Sequence, residues 1–244
     1  MSLYIGLMSG TSMDGIDAAL VNANNQQLIA GITHPYADTL QQALLQFDAS
    51  KKHNIQNLLE LNHHIGQAFS EAVTALLKET AYSATDITAI GSHGQTLYHN
   101  PEADIPTTLQ LACPHTIANN TDITVVSDFR TRDLTLGGQG APLAPIYHQK
   151  LLKNQNLPAI VANIGGIANI SLITPSPPPI GYDTIPGNVL IDLWIKQHQH
   201  TPYDANGFWA STGTSIPALL DALLNDAYFK KEAPKSIDKG YYSK

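Results

Sequence analysis

The chain has 244 residues, 43% of them hydrophobic and only 14% charged, with a formal net charge of −7. That length can bury a sizeable core in one large or two modest α/β domains, and an acidic balance without a dense run of Lys or Arg argues against nucleic-acid and anionic-membrane surfaces. The one cysteine, Cys113, admits no internal disulfide, which fits a reducing compartment. No basic leader and no bilayer-length apolar run is present, so a cytoplasmic protein with a small-molecule partner is expected.

Residues 3–20 open as an apolar run, a turn of small and hydroxylated residues (Ser9, Gly10, Thr11, Ser12), then Met13, Asp14 and Gly15, and a second apolar run with Ile16, Ala18 and Leu20. This pattern predicts a hairpin whose tip lacks bulky side chains. Amides at such a tip can converge on an anion, and Ser9, Thr11 and Ser12 add hydroxyl donors. Asp14 and Asp17 would repel a bare phosphate but suit one carried with Mg²⁺. Taken alone, the same stretch is also an ordinary Gly-Ser turn.

Residues 28–33 predict a third strand, and Asp38 or Thr39 caps a short helix to about residue 47. The clearest helix covers 54–80, where Leu58, Leu61, Ile65, Phe69, Val73 and Leu76 fall three or four apart. Residues 86–92 predict a strand ending in a polar loop, Gly-Ser-His-Gly-Gln, at 91–95. A strand at 107–111, a short helix at 114–119 and a strand at 124–126 follow, the last delivering Asp128, Arg130, Arg132 and Asp133. The glycine-rich passage 136–143 leads into a helix through Tyr147 and Leu152, and the domain boundary is placed there, between 1–135 and 136–244.

The second half repeats the opening plan: a strand at 159–164, a tight Gly-Gly-Ile-Ala-Asn turn at 165–169 and a returning strand at 170–174. The spacing is too long for a solenoid and suggests two related domains; a chance pair of Gly-tipped hairpins is the competing explanation. A loop through Asp183 precedes a helix at 189–197, and Ser215 is expected to cap a helix to 224 with Pro217 in its first turn. The tail from residue 230 is polar with no closing element, so the second domain is expected to be incomplete at its C-terminus.

Asp183, flanked by glycines and Pro186 near a helix start, is placed to accept a proton from a hydroxyl or water, or simply to cap that helix. Arg130 lies just past a strand end, where ligand contacts of α/β sheets gather. It could clamp a carboxylate bidentately or pair with Asp128 or Asp133. His93 could bond a sugar hydroxyl or merely be exposed. His198 and His200 lack the companions of a metal site. Walker A and G-x-G-x-x-G patterns are both missing.

Six ordered blocks carry a family resemblance: residues 5–17, Gly-Ser-His-Gly-Gln-Thr at 91–96, Asp-Phe-Arg at 128–130, Gly-Gly-Gln-Gly-Ala-Pro-Leu at 137–143, Asn-Ile-Gly-Gly-Ile-Ala-Asn-Ile at 163–170, and Gly-Tyr-Asp-Thr at 181–184 with Pro-Gly-Asn at 186–188. Together they resemble the anhydro-N-acetylmuramic acid kinases. The resemblance implies an α/β fold of two actin-like (ribonuclease H-like) domains around a central cleft. The implied reaction uses ATP and water to convert 1,6-anhydro-N-acetylmuramic acid into N-acetylmuramic acid 6-phosphate in cell-wall recycling. The hairpin from Ser9 through Asp17 and the tip Gly165–Gly166 would then face the nucleotide, and Asp14 the Mg²⁺. His93, Gln95 and Arg130 would bind the sugar, Arg130 at its lactyl carboxylate, and Asp183 would be the base; a homodimer is compatible. Three departures from the family pattern stand out: Ile185 replaces a Gly, Ala112 and Cys113 replace a Gly and an acidic or amide residue, and relatives continue past this end. Competing expectations are a non-catalytic sugar-binding protein and another hydroxyl-acceptor kinase of the same fold.

Overall fold

Strand β1 (Leu3–Ser9) alternates without exception, burying Leu3, Ile5, Leu7 and Ser9 while Tyr4, Gly6 and Met8 stay exposed. Such period-2 burial means a sheet covered on one face. The structure is a computed structural model that describes residues 2–10, 13–47, 51–176 and 178–237. The fold is mixed α/β, and the chain divides into two compact units, Met1–Gly140 and Ala141–Lys244.

In the first unit β1 forms a hairpin with β2 (Gly15–Asn22), and β3 (Gln27–Pro35) continues it antiparallel. Helices α1 (Asp38–Leu45) and α2 (Ile55–Lys78) lead to β4 (Ile87–Asn100), which returns parallel to β1. Strand β5 (Thr107–Leu111) pairs antiparallel with β4, and β6 (Val125–Ser127) pairs parallel with it. Between them lies α3 (Pro114–Thr121), and α4 (Phe129–Thr135) follows β6. The sheet order is β3-β2-β1-β4-β5.

Helix α2 supplies the cover. Its N-terminus is capped by Asn54, whose side chain accepts from the Gln56 amide at 2.8 Å. Its buried stripe of Ile65, Phe69, Ala72, Val73 and Leu76 joins Leu3, Ile5, Leu7, Ile16, Ala18, Leu20 and Ile90 in one core. Gly66 lets α3 approach, since a Cβ there would sit 3.0 Å from the Cys113 carbonyl oxygen.

The second unit holds α5 (Ala144–Leu151), then β7 (Ala159–Ile164), β8 (Ile167–Ile173) and β9 (Ile180–Pro186) in an antiparallel meander. Helices α6 (Asn188–Gln199) and α7 (Pro217–Leu224) follow.

Several local expectations need correction. The stretch 91–95 is not a loop: β4 runs through it, because β1, β5 and β6 all bond its backbone. What reads as loop chemistry is a bulge. Leu7 pairs with Ser92 and Met8 with Gly94, leaving His93 as the extra residue, and Gly94 supplies φ +78°. Asp183 likewise lies within β9, opposite Asn169 of β8. Ser215 does not cap α7, whose N-cap position is Ile216. The segment after β6 forms the unforeseen α4. Ile185 sits in β9 opposite Ala168 without a positive φ, so the loss of glycine there carries no left-handed strain.

Ala112 is the opposite case. Its φ is +132°, its side chain is buried, and its amide is held by the Asn62 side chain at 3.0 Å. An L-residue in that region costs on the order of 1–3 kcal/mol. Ala112→Gly is therefore expected to raise unfolding stability by about 1 kcal/mol, read as a higher denaturant midpoint at unchanged m-value.

Candidate active site

The opening hairpin is held from inside. Ser9 is buried, and its hydroxyl lies 2.8 Å from the Gly15 carbonyl and 2.6 Å from Gln95 Oε1. One hydroxyl hydrogen serves both acceptors, so the bond is shared. The Gln95 amide group donates to the carbonyls of Gly10 and Thr96, each at 3.2 Å, which fixes its orientation. Ser9 and Gln95 thus act on the tip by bracing it, with both side chains buried.

Elsewhere on the hairpin, Met13 has φ 55°, and its carbonyl accepts from Gln41 Nε2 at 2.9 Å. Ile16 is fully buried in the core. Asp17 faces the uncovered side of β2 and accepts from the Thr33 hydroxyl at 2.7 Å. Gly15 packs where a Cβ would meet the His34 carbonyl at 2.9 Å. Thr11 and Ser12 lie outside the described residues. Tyr36, which the sequence did not single out, belongs to this corner. Burial first, and the Asp14 carboxylate next to it, push its phenol up to about 12 against the opposing influence of Ser9. The hydroxyl is buried, with the Ser9 side chain as its polar neighbour.

His93, at the bulge in the middle of β4, meets Arg130 of α4, just beyond β6. Arg130 Nε donates to His93 Nε2 at 2.8 Å, so that nitrogen is unprotonated and Nδ1 donates to the Gly94 carbonyl at 2.9 Å. Burial, then the Arg130 charge, hold the His93 imidazole below the ordinary histidine range. The histidine therefore aims the guanidinium. His93 also lines a groove of about 530 Å³ on the uncovered sheet face, with Gly6, Asp17, Gly91 and Phe129. On that face Gly6 pairs with both Ala19 and Gly91.

In the second unit the tip Gly165–Gly166 is bound to the start of α6. The Asn188 amide donates to the Gly165 carbonyl at 2.8 Å, and those of Gly187 and Val189 donate to Gly166 at 2.9 and 3.1 Å. Gly187 is required by this contact, since any Cβ would collide with the Gly165 carbonyl oxygen. Asp183, on the neighbouring strand, has its backbone carbonyl bonded by the Tyr228 hydroxyl at 2.9 Å, and its Oδ2 accepts from the Ile237 amide at 3.0 Å. Neither partner is legible from the local sequence, because both are more than forty residues away along the chain.

Among the described residues no group of three His, Cys, Asp or Glu side chains converges as a metal cage, and no helix is long and apolar enough to cross a membrane.

Comparison with known proteins bears on this arrangement. The profile of the family described as "Anhydro-N-acetylmuramic acid kinase" matches residues 2–243. A relative of that name from Legionella pneumophila (strain Corby) is 51% identical over 243 residues, covering 100% of this chain and 66% of its own. Another from Photobacterium profundum is 48% identical over 242 residues, covering 98% and 64%. The chain spans just under two thirds of the length of these relatives. Among solved structures, the ethanolamine utilization protein EutJ from Carboxydothermus hydrogenoformans aligns with 84% of this chain and 59% of its own at 12% identity and TM-score 0.41, too loose to inform the fold.

Two outcomes are expected. Ser9→Ala leaves Gln95 Oε1 buried without its donor and should cost about 1–3 kcal/mol in denaturant unfolding. With a depressed folded-state pKa, the neutral His93 contributes stability fully above the ordinary histidine value. That contribution is lost as pH falls through the folded-state value. The His93 ring should therefore titrate by NMR below the exposed histidines.

Proposed function

Because the chain belongs to the anhydro-N-acetylmuramic acid kinase family, we propose that it carries the ATP-dependent conversion of 1,6-anhydro-N-acetylmuramic acid and water to N-acetylmuramic acid 6-phosphate, in the cytoplasm, as a step of peptidoglycan recycling. In this proposal the two compact units are actin-like domains. The carrying observation is the placement of Asp183, a half-buried carboxylate on β9 held through both backbone and side chain, one strand from the Gly165–Gly166 turn.

Asp183 takes the proton of a water as the water oxygen bonds to the anomeric carbon. The anhydro C–O bond breaks, its electron pair passes to O6, and O6 attacks the γ-phosphorus with ADP as leaving group. No separate acid is needed, since the leaving oxygen is itself the phosphoryl acceptor; the sugar half resembles an inverting glycosidase. Arg130, aimed by His93, binds the lactyl carboxylate in a charge-assisted pair. His93 and Gln95 complete the sugar side, Gln95 by bracing the hairpin.

The tip of the opening hairpin, braced from inside by Ser9, and the Gly165–Gly166 turn would contact the phosphates, where positioning and charge stabilisation dominate phosphoryl transfer. Mg²⁺ would neutralise charge on the phosphoryl oxygens, held by Asp14. A single carboxylate plus waters and phosphate oxygens is the coordination that Mg²⁺ commonly takes.

Asp183→Asn is expected to lower kcat about 10³-fold in an ADP-release assay with the anhydro sugar, with ATP affinity unchanged. Turnover equal to the parent would remove Asp183 from the base role.

A further inference from the structure

We infer that the stretch after α7, from Asp226 to Ile237, is a positioning strap for Asp183. Its contacts reach Asp183 at three different atoms. The Lys235 carbonyl accepts from the Asp183 amide at 3.0 Å. The Tyr228 hydroxyl donates to the Asp183 carbonyl at 2.9 Å, and the Ile237 amide donates to Oδ2 at 3.0 Å. Among the described residues strand β9 is the edge of its sheet, with β8 as its neighbour, and the strap adds its three bonds to Asp183 from outside that sheet.

The strap is itself anchored. Tyr228 is 1% exposed. Its amide is capped by Asp226 Oδ1 at 2.7 Å, and its carbonyl accepts from Lys235 Nζ at 3.1 Å. That ammonium also lies 4.7 Å from the Tyr228 ring centroid, with Lys231 at 5.9 Å. The charged residues of the strap are Asp226, Lys230, Lys231, Glu232 and Lys235, of which Asp226, Lys231 and Lys235 contact Tyr228, while the residue opposite Asp183 on β8 is the neutral Asn169.

A carboxylate that must meet one water proton gains from a fixed rotamer, because misplacement of about 1 Å can cost on the order of 10²-fold in rate. The Ile237 amide supplies that restraint and favours the ionised, proton-accepting form. Tyr228 and Lys235 hold the backbone from which the carboxylate projects. The catalytic meaning of the strap rests on Asp183 being the base; the hydrogen bond itself does not.

The test is an NMR titration of the full chain, following the Asp183 carboxyl carbon and the Ile237 amide proton. In the parent, both signals should move with one shared midpoint, and Asp183→Asn should abolish the movement of the amide. Ile237→Pro, which lacks the amide donor, should raise the Asp183 midpoint, since the ionised form loses a hydrogen bond, whereas Ile237→Ala, which keeps it, should leave the midpoint in place. If the proline variant does not fold, the parent's amide titration decides. An Ile237 amide that ignores Asp183 ionisation, or an unchanged midpoint in a folded proline variant, overturns the strap. Kinetics separate the two readings: active Asp183→Asn removes the base, whereas inactive Asp183→Asn with a silent Ile237 amide removes only the strap.

Discussion

The buried hydroxyl of Ser9 is the contact on which the opening hairpin of the first unit depends. It ties the end of β1 to the start of β2 through the Gly15 carbonyl and to β4 through Gln95. Gln95 passes the restraint to Gly10 and Thr96. A tip of small residues has little side-chain packing of its own, so its backbone would otherwise be free to move. The bonds that hold its flanks are buried, and a buried polar group left unsatisfied is costly enough to make the arrangement specific.

The second unit reaches a comparable result by other means. Its tip has glycines where the first has hydroxyls, and their carbonyls are taken by the opening amides of α6. Those amides belong to the orphan donors of a helix N-terminus, so one contact satisfies the helix and positions the turn. Gly187 permits it by having no side chain at the point of closest approach. The adjoining strand then carries Asp183, fixed from its open edge by Tyr228, Lys235 and Ile237. Charge is handled locally as well. The Arg130 guanidinium is directed by a histidine that must stay neutral to accept its hydrogen bond.

Much of this was legible in the residues. The hairpin, the long helix behind it and the second Gly-tipped hairpin follow from periodicity and turn chemistry, which are local. The failures have non-local causes. Gly-Ser-His-Gly-Gln has the composition of a loop, yet partner strands on both sides make it a bulged strand. Ile185 reads as a misfit against the glycine that the family resemblance implies there, and the strand pairing of β9 gives it ordinary backbone angles. Ala112 meets the cost that Ile185 avoids, because its φ is set by the turn between β5 and α3.

By itself, the sequence carried the family resemblance and most of the elements, and it nominated Asp14, His93, Arg130 and Asp183 as candidate groups. These are properties of residue type and near-neighbour spacing. Only the tertiary structure decided how each group is held. It turned Ser9 and Gln95 inward as braces, made His93 the partner of Arg130, brought Tyr36 to Asp14, and set Tyr228 and Ile237 on Asp183. Each of those contacts joins residues well separated along the chain. Their pairing depends on strand register and packing, which no local pattern encodes.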